Sequence, residues 1–145
     1  MKNKIKYIII IGCGRLGSEL AKRFSKNHNV VVVDKSPEAL ERLKKYNFTG
    51  FSMVVDSTDI ATLEQAKAEK ADLIYIVTPD DNLNFMLANA CNTFYKSKNP
   101  NIEIIARVND PHKKSIFERA GLNIFCPIEH AVEELFGNVG VENEE

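Results

Sequence analysis

YIIIIGCGRLGSEL, residues 7–20, runs an unbroken apolar stretch straight into three spaced glycines. A stretch such as Ile8–Ile11 with no polar alternation suits a strand covered on both faces, because neither side of it meets water. Gly12, Gly14 and Gly17, with Cys13, Arg15 and Leu16 between them, fit G-x-G-x-x-G. The pattern is weak alone. Here it leaves an apolar strand and opens an amphipathic helix in which Leu16, Leu20 and Phe24 recur every four residues beside Ala21. In that setting Gly12 permits a tight turn, Gly14 lets a phosphate approach the backbone with no Cβ in the way, and Gly17 allows helix to pack closely on strand. Free amides and the helix dipole at that N-terminus favour an anion. The alternative is a glycine-rich turn that serves packing only.

Outward from this stretch, short β-branched runs alternate with longer amphipathic ones. Strands are expected at Tyr7–Ile11, Val30–Val33, Phe51–Val55, Leu73–Val77, Ile102–Ala106 and Asn123–Phe125. Helical patterns fill the gaps, the longest around Asp80–Tyr95 and another over Pro111–Ala120, which Gly121 stops. Ser36-Pro37, Thr78-Pro79, Asp110-Pro111 and Cys126-Pro127 each sit just past a strand, where proline at the first helical position forfeits no hydrogen bond. These units read as an α/β, Rossmann-like doubly wound parallel sheet of six strands in the order 3-2-1-4-5-6. One nucleotide-binding domain is expected over residues 1–137, with an acidic C-terminal tail at 138–145.

A chain of 145 residues can bury one proper core. Its formal net charge of −1 supplies no global basic field, so nucleic acid and anionic lipid are not expected partners. Cys13, Cys91 and Cys126 are far apart, form no Cys-x-x-Cys pair and read as small buried thiols in a reducing compartment, with no metal site. Lys2, Lys4 and Lys6 precede an apolar run that stops at Gly12, too short for a signal sequence or a membrane span. Direct membrane insertion is therefore not expected.

Several polar residues fall at strand ends, where ligands bind in this architecture. Asp34 closes the second strand 22 residues beyond Gly12, where an acid can accept from both ribose hydroxyls and would repel a 2′-phosphate. Its other reading is a turn residue before Ser36, and the adjoining Lys35 could turn toward such a phosphate. Asp56 follows the third strand, where a base would rest. Asp59 reads as the cap of the next helix, and Asp80 and Asp81 as favourable charge in a first helical turn. Thr78, three residues before Asp81, reads as a capping box and as a wall of the cleft. Arg107 ends the fifth strand, within reach of ligand phosphates or of a neighbouring loop acid.

Hydride-transfer enzymes need an acid or base beside a substrate pocket. No Tyr-x-x-x-Lys, Gly-x-Ser-x-Gly, His-Glu-x-x-His or Gly-Lys-Ser/Thr pattern occurs, and His28, His112 and His130 are scattered. A binding or sensor module is therefore expected, not an enzyme. The competing reading is a small NAD-dependent oxidoreductase whose substrate site comes from a partner. A methyltransferase using S-adenosylmethionine is less consistent with Arg15 and Arg107, because that cofactor carries no phosphate.

Gly12-Cys-Gly-Arg-Leu-Gly17, Val32-Val-Asp34, Asp56-Ser-Thr-Asp59, Val77-Thr-Pro-Asp-Asp-Asn82 and Ile105-Ala-Arg107-Val-Asn-Asp-Pro111 occur in this order. Together they resemble the RCK (KTN, or TrkA N-terminal) domain of Trk/Ktr-type potassium uptake systems and some potassium channels, over about Lys6 to Phe136. The resemblance implies a nucleotide-binding regulatory subunit that takes NAD(H), AMP, ADP or ATP. It implies a homodimer or higher ring, a potassium transporter or channel as membrane partner, and a cytoplasmic location at the inner face of the membrane through that partner. Carried over residue by residue, Gly12, Gly14 and Gly17 make the phosphate loop, with Arg15 and Arg107 near phosphates. Asp34 holds the ribose, Asp56 and Ser57 lie near the adenine, and Thr78 lines the cleft. Two departures stand out: Val55 occupies a position where the family often has glycine, and no C-terminal ligand-binding subdomain follows Phe136 in this sequence. The last helical pattern places Ile128, Ala131, Val132, Leu135 and Phe136 on one stripe, which either covers the sheet or meets a neighbouring subunit.

Overall fold

Four consecutive isoleucines, Ile8 to Ile11, are wholly buried, and they sit at the centre of the molecule because their side chains alternate between two cores. The computed structural model describes residues 4–139. Ile8 and Ile10 of β1 (Tyr7–Ile11) pack beneath α1 (Arg15–Phe24) and α2 (Pro37–Lys44), with Val30 and Val32 of β2 (Asn29–Asp34). Ile9 and Ile11 face the opposite layer, formed by α3 (Ile60–Gln65), α4 (Asp81–Cys91) and α5 (Lys114–Arg119). Each fully buried isoleucine stabilises the fold by about 1.5–3 kcal/mol relative to an exposed one.

The sheet is completed by β3 (Phe51–Val54), β4 (Leu73–Ile76), β5 (Glu103–Arg107) and β6 (Asn123–Phe125). All five pairings are parallel and the order is β3-β2-β1-β4-β5-β6, as the sequence leads one to expect. β1 is central, with Ile8 beside Val30 on one side and Leu73 on the other. Pro37, Pro111 and Pro127 open helical turns, Ser36 caps α2 by accepting from the Ala39 amide, and Gly121 stops α5 with φ +75°.

Four expectations change. The pattern over Asp80–Tyr95 gives α4 only to Cys91, after which Asn92–Lys96 widens into a π turn and leaves Phe94 exposed. Pro111–Ala120 divides into a 3₁₀ turn over Pro111–Lys113 followed by the short α5. Pro79 does not open α4, because Asp80 is the cap and accepts from the amides of Asn82 and Leu83. The capping box expected of Thr78 and Asp81 is consequently absent; Thr78 instead pairs with Asn84, and Asp81 accepts from the amides of Asn109 and Asp110. Asp59, by contrast, forms a reciprocal capping box with Thr62, as its position suggests.

The closing helix α6 (Pro127–Gly137) buries none of its residues. Ile128, Val132, Leu135 and Phe136 remain 50–70% exposed, so this stripe does not cover the sheet within one chain. Lys114 ties α6 to α5 through Glu129 at 2.6 Å, and that carboxylate holds the ammonium above its ordinary pKa.

Two outcomes follow from this packing. A Cβ placed on Gly17 would lie 1.9 Å from the Gly12 carbonyl oxygen; Gly17→Ala should therefore lower the thermal midpoint by about 5–10 °C, measured by circular dichroism. Cys13, Cys91 and Cys126 are all buried, and burial pushes the Cys91 thiol up to about 12. Ellman's reagent should find none of the three thiols promptly in the native protein and all three in denaturant.

Candidate functional site

The carboxyl ends of β1 to β4 open onto a cavity of about 400 Å³. Its floor is the β1–α1 turn. The Gly12 amide donates to the Val33 carbonyl, and Gly12 adopts φ +108°, a conformation L side chains rarely take. Gly17 lies buried beneath this turn, and Leu16 packs into the α1–α2 core. Gly14 differs: a Cβ there would meet nothing within 4 Å, so the open side of the turn is the backbone of Gly14 itself. Gly14 is also the residue preceding α1, offers no side-chain cap, and is followed by a first turn without acids. The leading amides of α1 therefore have no side-chain acceptor and face a region favourable to an anion.

Asp34 stands beside this turn. One carboxylate oxygen accepts from the Cys13 amide at 2.7 Å and the other from the Ser36 amide at 2.8 Å. It thus joins the two readings offered by its position, since it braces its own turn while each oxygen retains a lone pair for a ligand hydroxyl. Lys35, Asp56, Ser57 and Thr58 extend the same wall, with the Ser57 hydroxyl donating to Asp59. Asp34, Asp56 and Asp80 against the single cation Lys35 make this cavity rich in hydrogen-bond acceptors. The Cys13 thiol is pushed up by burial and by the charge of Asp34, partly opposed by Arg42, so it stays protonated at neutral pH.

The far wall consists of Thr78, Pro79, Asp80 and Leu83. Its anchor is Asn84, wholly buried, whose amide donates to the Thr78 and Arg107 carbonyls at 2.9 Å each. Asp81, also buried, accepts from the Asn109 amide and side chain and from the Asp110 amide. This network fixes the end of β4 against the end of β5. The roles of Asn84 and Asp81 escape sequence reading, although a polar Asn84 one turn before the buried Leu87 is the signal that marks it.

Of the residues singled out in the sequence, Gly12, Cys13, Gly14, Asp34, Lys35, Asp56, Ser57 and Thr78 line the cavity together. Arg15 lines a neighbouring cavity on the α1–α2 face that shares only Cys13 and Gly14 with the first. Arg107 stands outside both linings; its Nε is buried without a hydrogen-bond partner, and no ion pair holds it among the described residues. The described residues contain no group of three or more metal-ligating side chains. No helix among them is long and apolar enough to cross a membrane.

The arrangement suits a ligand that carries hydroxyls and an anionic group. The TrkA-N domain family model matches residues 8–127. A Trk system potassium uptake protein TrkA homolog from Pyrococcus horikoshii is 35% identical over 113 residues, 77% of this chain and 47% of that protein. This chain therefore spans about half the length of that relative. Among solved structures, the NAD(P)-binding domain of an exopolyphosphatase-related protein from Archaeoglobus fulgidus superposes with a TM-score of 0.72 at 25% identity, covering 94% of this chain and 98% of the other. GsuK bound to ADP superposes with a TM-score of 0.68 at 27% identity, covering 92% and 33%. By the match to that family model over most of its length, the chain belongs to the TrkA-N domain family.

Proposed function

We propose that this chain is the nucleotide-binding regulatory part of a potassium transport system, a sensor and not an enzyme, acting through a separate membrane subunit. The observation that carries the reading is the open backbone of Gly14 at the uncapped start of α1, beside an Asp34 whose oxygens keep free lone pairs. A phosphate over Gly14 meets free amides, and ribose hydroxyls meet Asp34. NAD(H) or an adenine nucleotide such as AMP, ADP or ATP has both groups. Asp56 and Ser57 then lie toward the base, and Thr78 closes the far side. Gly12 and Gly17 shape the loop, Cys13 ties it to Asp34 through its amide, and Leu16 offers a backbone amide. Lys35 supplies positive charge in the cleft, with Arg15 and Arg107 adding charge from outside its lining. Support from relatives comes from the potassium uptake protein and from the ADP-bound GsuK.

Regulation requires that the ligand bind two arrangements of the protein with different affinity, because equal affinity shifts no equilibrium. Paired copies of the chain provide such arrangements. The exposed stripe of α6 supports a homodimer or a larger ring, since Leu135 at 70% and Val132 at 57% exposure stand uncovered on one chain. The membrane subunit would be a potassium transporter or channel, which places the protein at the cytoplasmic face of the membrane by association.

Gly14→Asp separates binding from folding. Aspartate is a good residue before a helix and has room there, so stability should hold or rise by a few tenths of a kcal/mol. Calorimetric titration with NAD+ and ADP should show affinity lowered at least tenfold, because a carboxylate would occupy the phosphate position. Unchanged affinity would remove the site, and steady turnover of NAD+ with small alcohols would replace the sensor reading by an oxidoreductase. Leu135→Glu should convert the dimer to monomer in analytical ultracentrifugation while leaving nucleotide affinity of the single chain within about twofold.

A further inference from the structure

Behind the glycine turn, on the α1–α2 face, lies a second cavity of about 380 Å³. It meets the nucleotide cleft only across Cys13 and Gly14, yet the two differ sharply in charge. The cleft is lined by three carboxylates and one cation; this neighbour is lined by Arg15, Lys22 and Arg42 and by no carboxylate. Lys22 is engaged by Glu19 at 2.6 Å and lies 5.7 Å from the Tyr46 ring centroid, an edge of the same cavity. The guanidinium groups of Arg15 and Arg42 take part in no ion pair or hydrogen bond among the described residues.

Arg15 and Arg42, with no carboxylate beside them, and the already paired Lys22 give the recess positive charge that an anion can meet. Guanidinium groups present paired donors that match phosphoryl oxygens, and three cations suit a multiply charged group better than a single carboxylate. The Ser18 hydroxyl, which donates to the Arg15 carbonyl, also lines the recess. We propose that this recess is a phosphoryl-anion site distinct from the nucleotide cleft, with Arg42 its principal ligand and Arg15 and Lys22 beside it. It accepts either a phosphate ester projecting from the ligand in the cleft or a separate phosphate-bearing anion. This site rests on the two cavities and their charges, and not on which nucleotide fills the cleft.

Isothermal titration of the full chain with inorganic pyrophosphate tests it, alongside NAD+, NADP+ and adenosine. Arg42→Gln is the variant, since Arg42 is exposed and its loss should leave the thermal midpoint unchanged. Pyrophosphate affinity should fall about tenfold in the variant, as for loss of a charge-assisted hydrogen bond, while adenosine affinity stays the same. An equal pyrophosphate affinity in both proteins would overturn the site, because the anion would then sit on the glycine turn alone. NAD+ binding with no pyrophosphate binding would also overturn it and leave the nucleotide reading intact. Arg42-dependent pyrophosphate binding with no nucleotide binding would uphold the site and remove that reading instead. Within a positive result, NADP+ binding more tightly than NAD+ only when Arg42 is present identifies a phosphate ester of the cleft ligand. Undiminished pyrophosphate binding to protein saturated with NAD+ identifies a separate anion.

Discussion

Helix α1 meets strand β1 at a distance that only glycine allows. The 1.9 Å between an added Cβ on Gly17 and the Gly12 carbonyl oxygen leaves no room for any other side chain. Because the helix sits this close, its first amides emerge directly above the end of β1 and beside the ends of β2 and β4. The positive φ of Gly12, the bond from the Gly12 amide to Val33 and the grip of Asp34 on the Cys13 amide all serve that one seat. Without it the cleft would have walls and no floor.

The two sides of the sheet are loaded unequally. Buried isoleucines and valines anchor α1 and α2 on one face and α3 to α5 on the other, whereas α6 is held near the sheet edge chiefly through Lys114 and Glu129. The chain therefore carries an apolar surface that its own core does not use. Large side chains standing in water along one stripe are the observation on which the proposed pairing of copies rests.

Much of this was legible in the sequence because the decisive signals are local. Uniformly apolar runs marked the strands, Gly12 to Gly17 marked the turn, and prolines at 37, 111 and 127 marked helix starts. Asp34 was found by its distance from the glycines, although its bonds to Cys13 and Ser36 were not foreseen. What sequence could not give is long-range. Asn84 reaches Arg107 across 23 residues and Asp81 reaches Asn109 across 28, and no periodicity announces such partners. Likewise Arg15 reads as a cleft residue by its place in the motif, but the turn of α1 directs it to the other face, beside an Arg42 that looks in sequence like ordinary solvated charge.

The side chain of Asn84 spans the carbonyls of Thr78 and Arg107, and Asp81 holds the following loop as well. The ends of β4 and β5 are thereby welded into one plate. On the opposite flank the Asp56–Thr58 loop carries only local side-chain bonds, from the Ser57 hydroxyl to Asp59 and from the Thr62 hydroxyl to the Ser57 carbonyl. Whatever the cleft holds lies between a wall bolted across two strands and a loop bonded only to itself and to the helix that follows it.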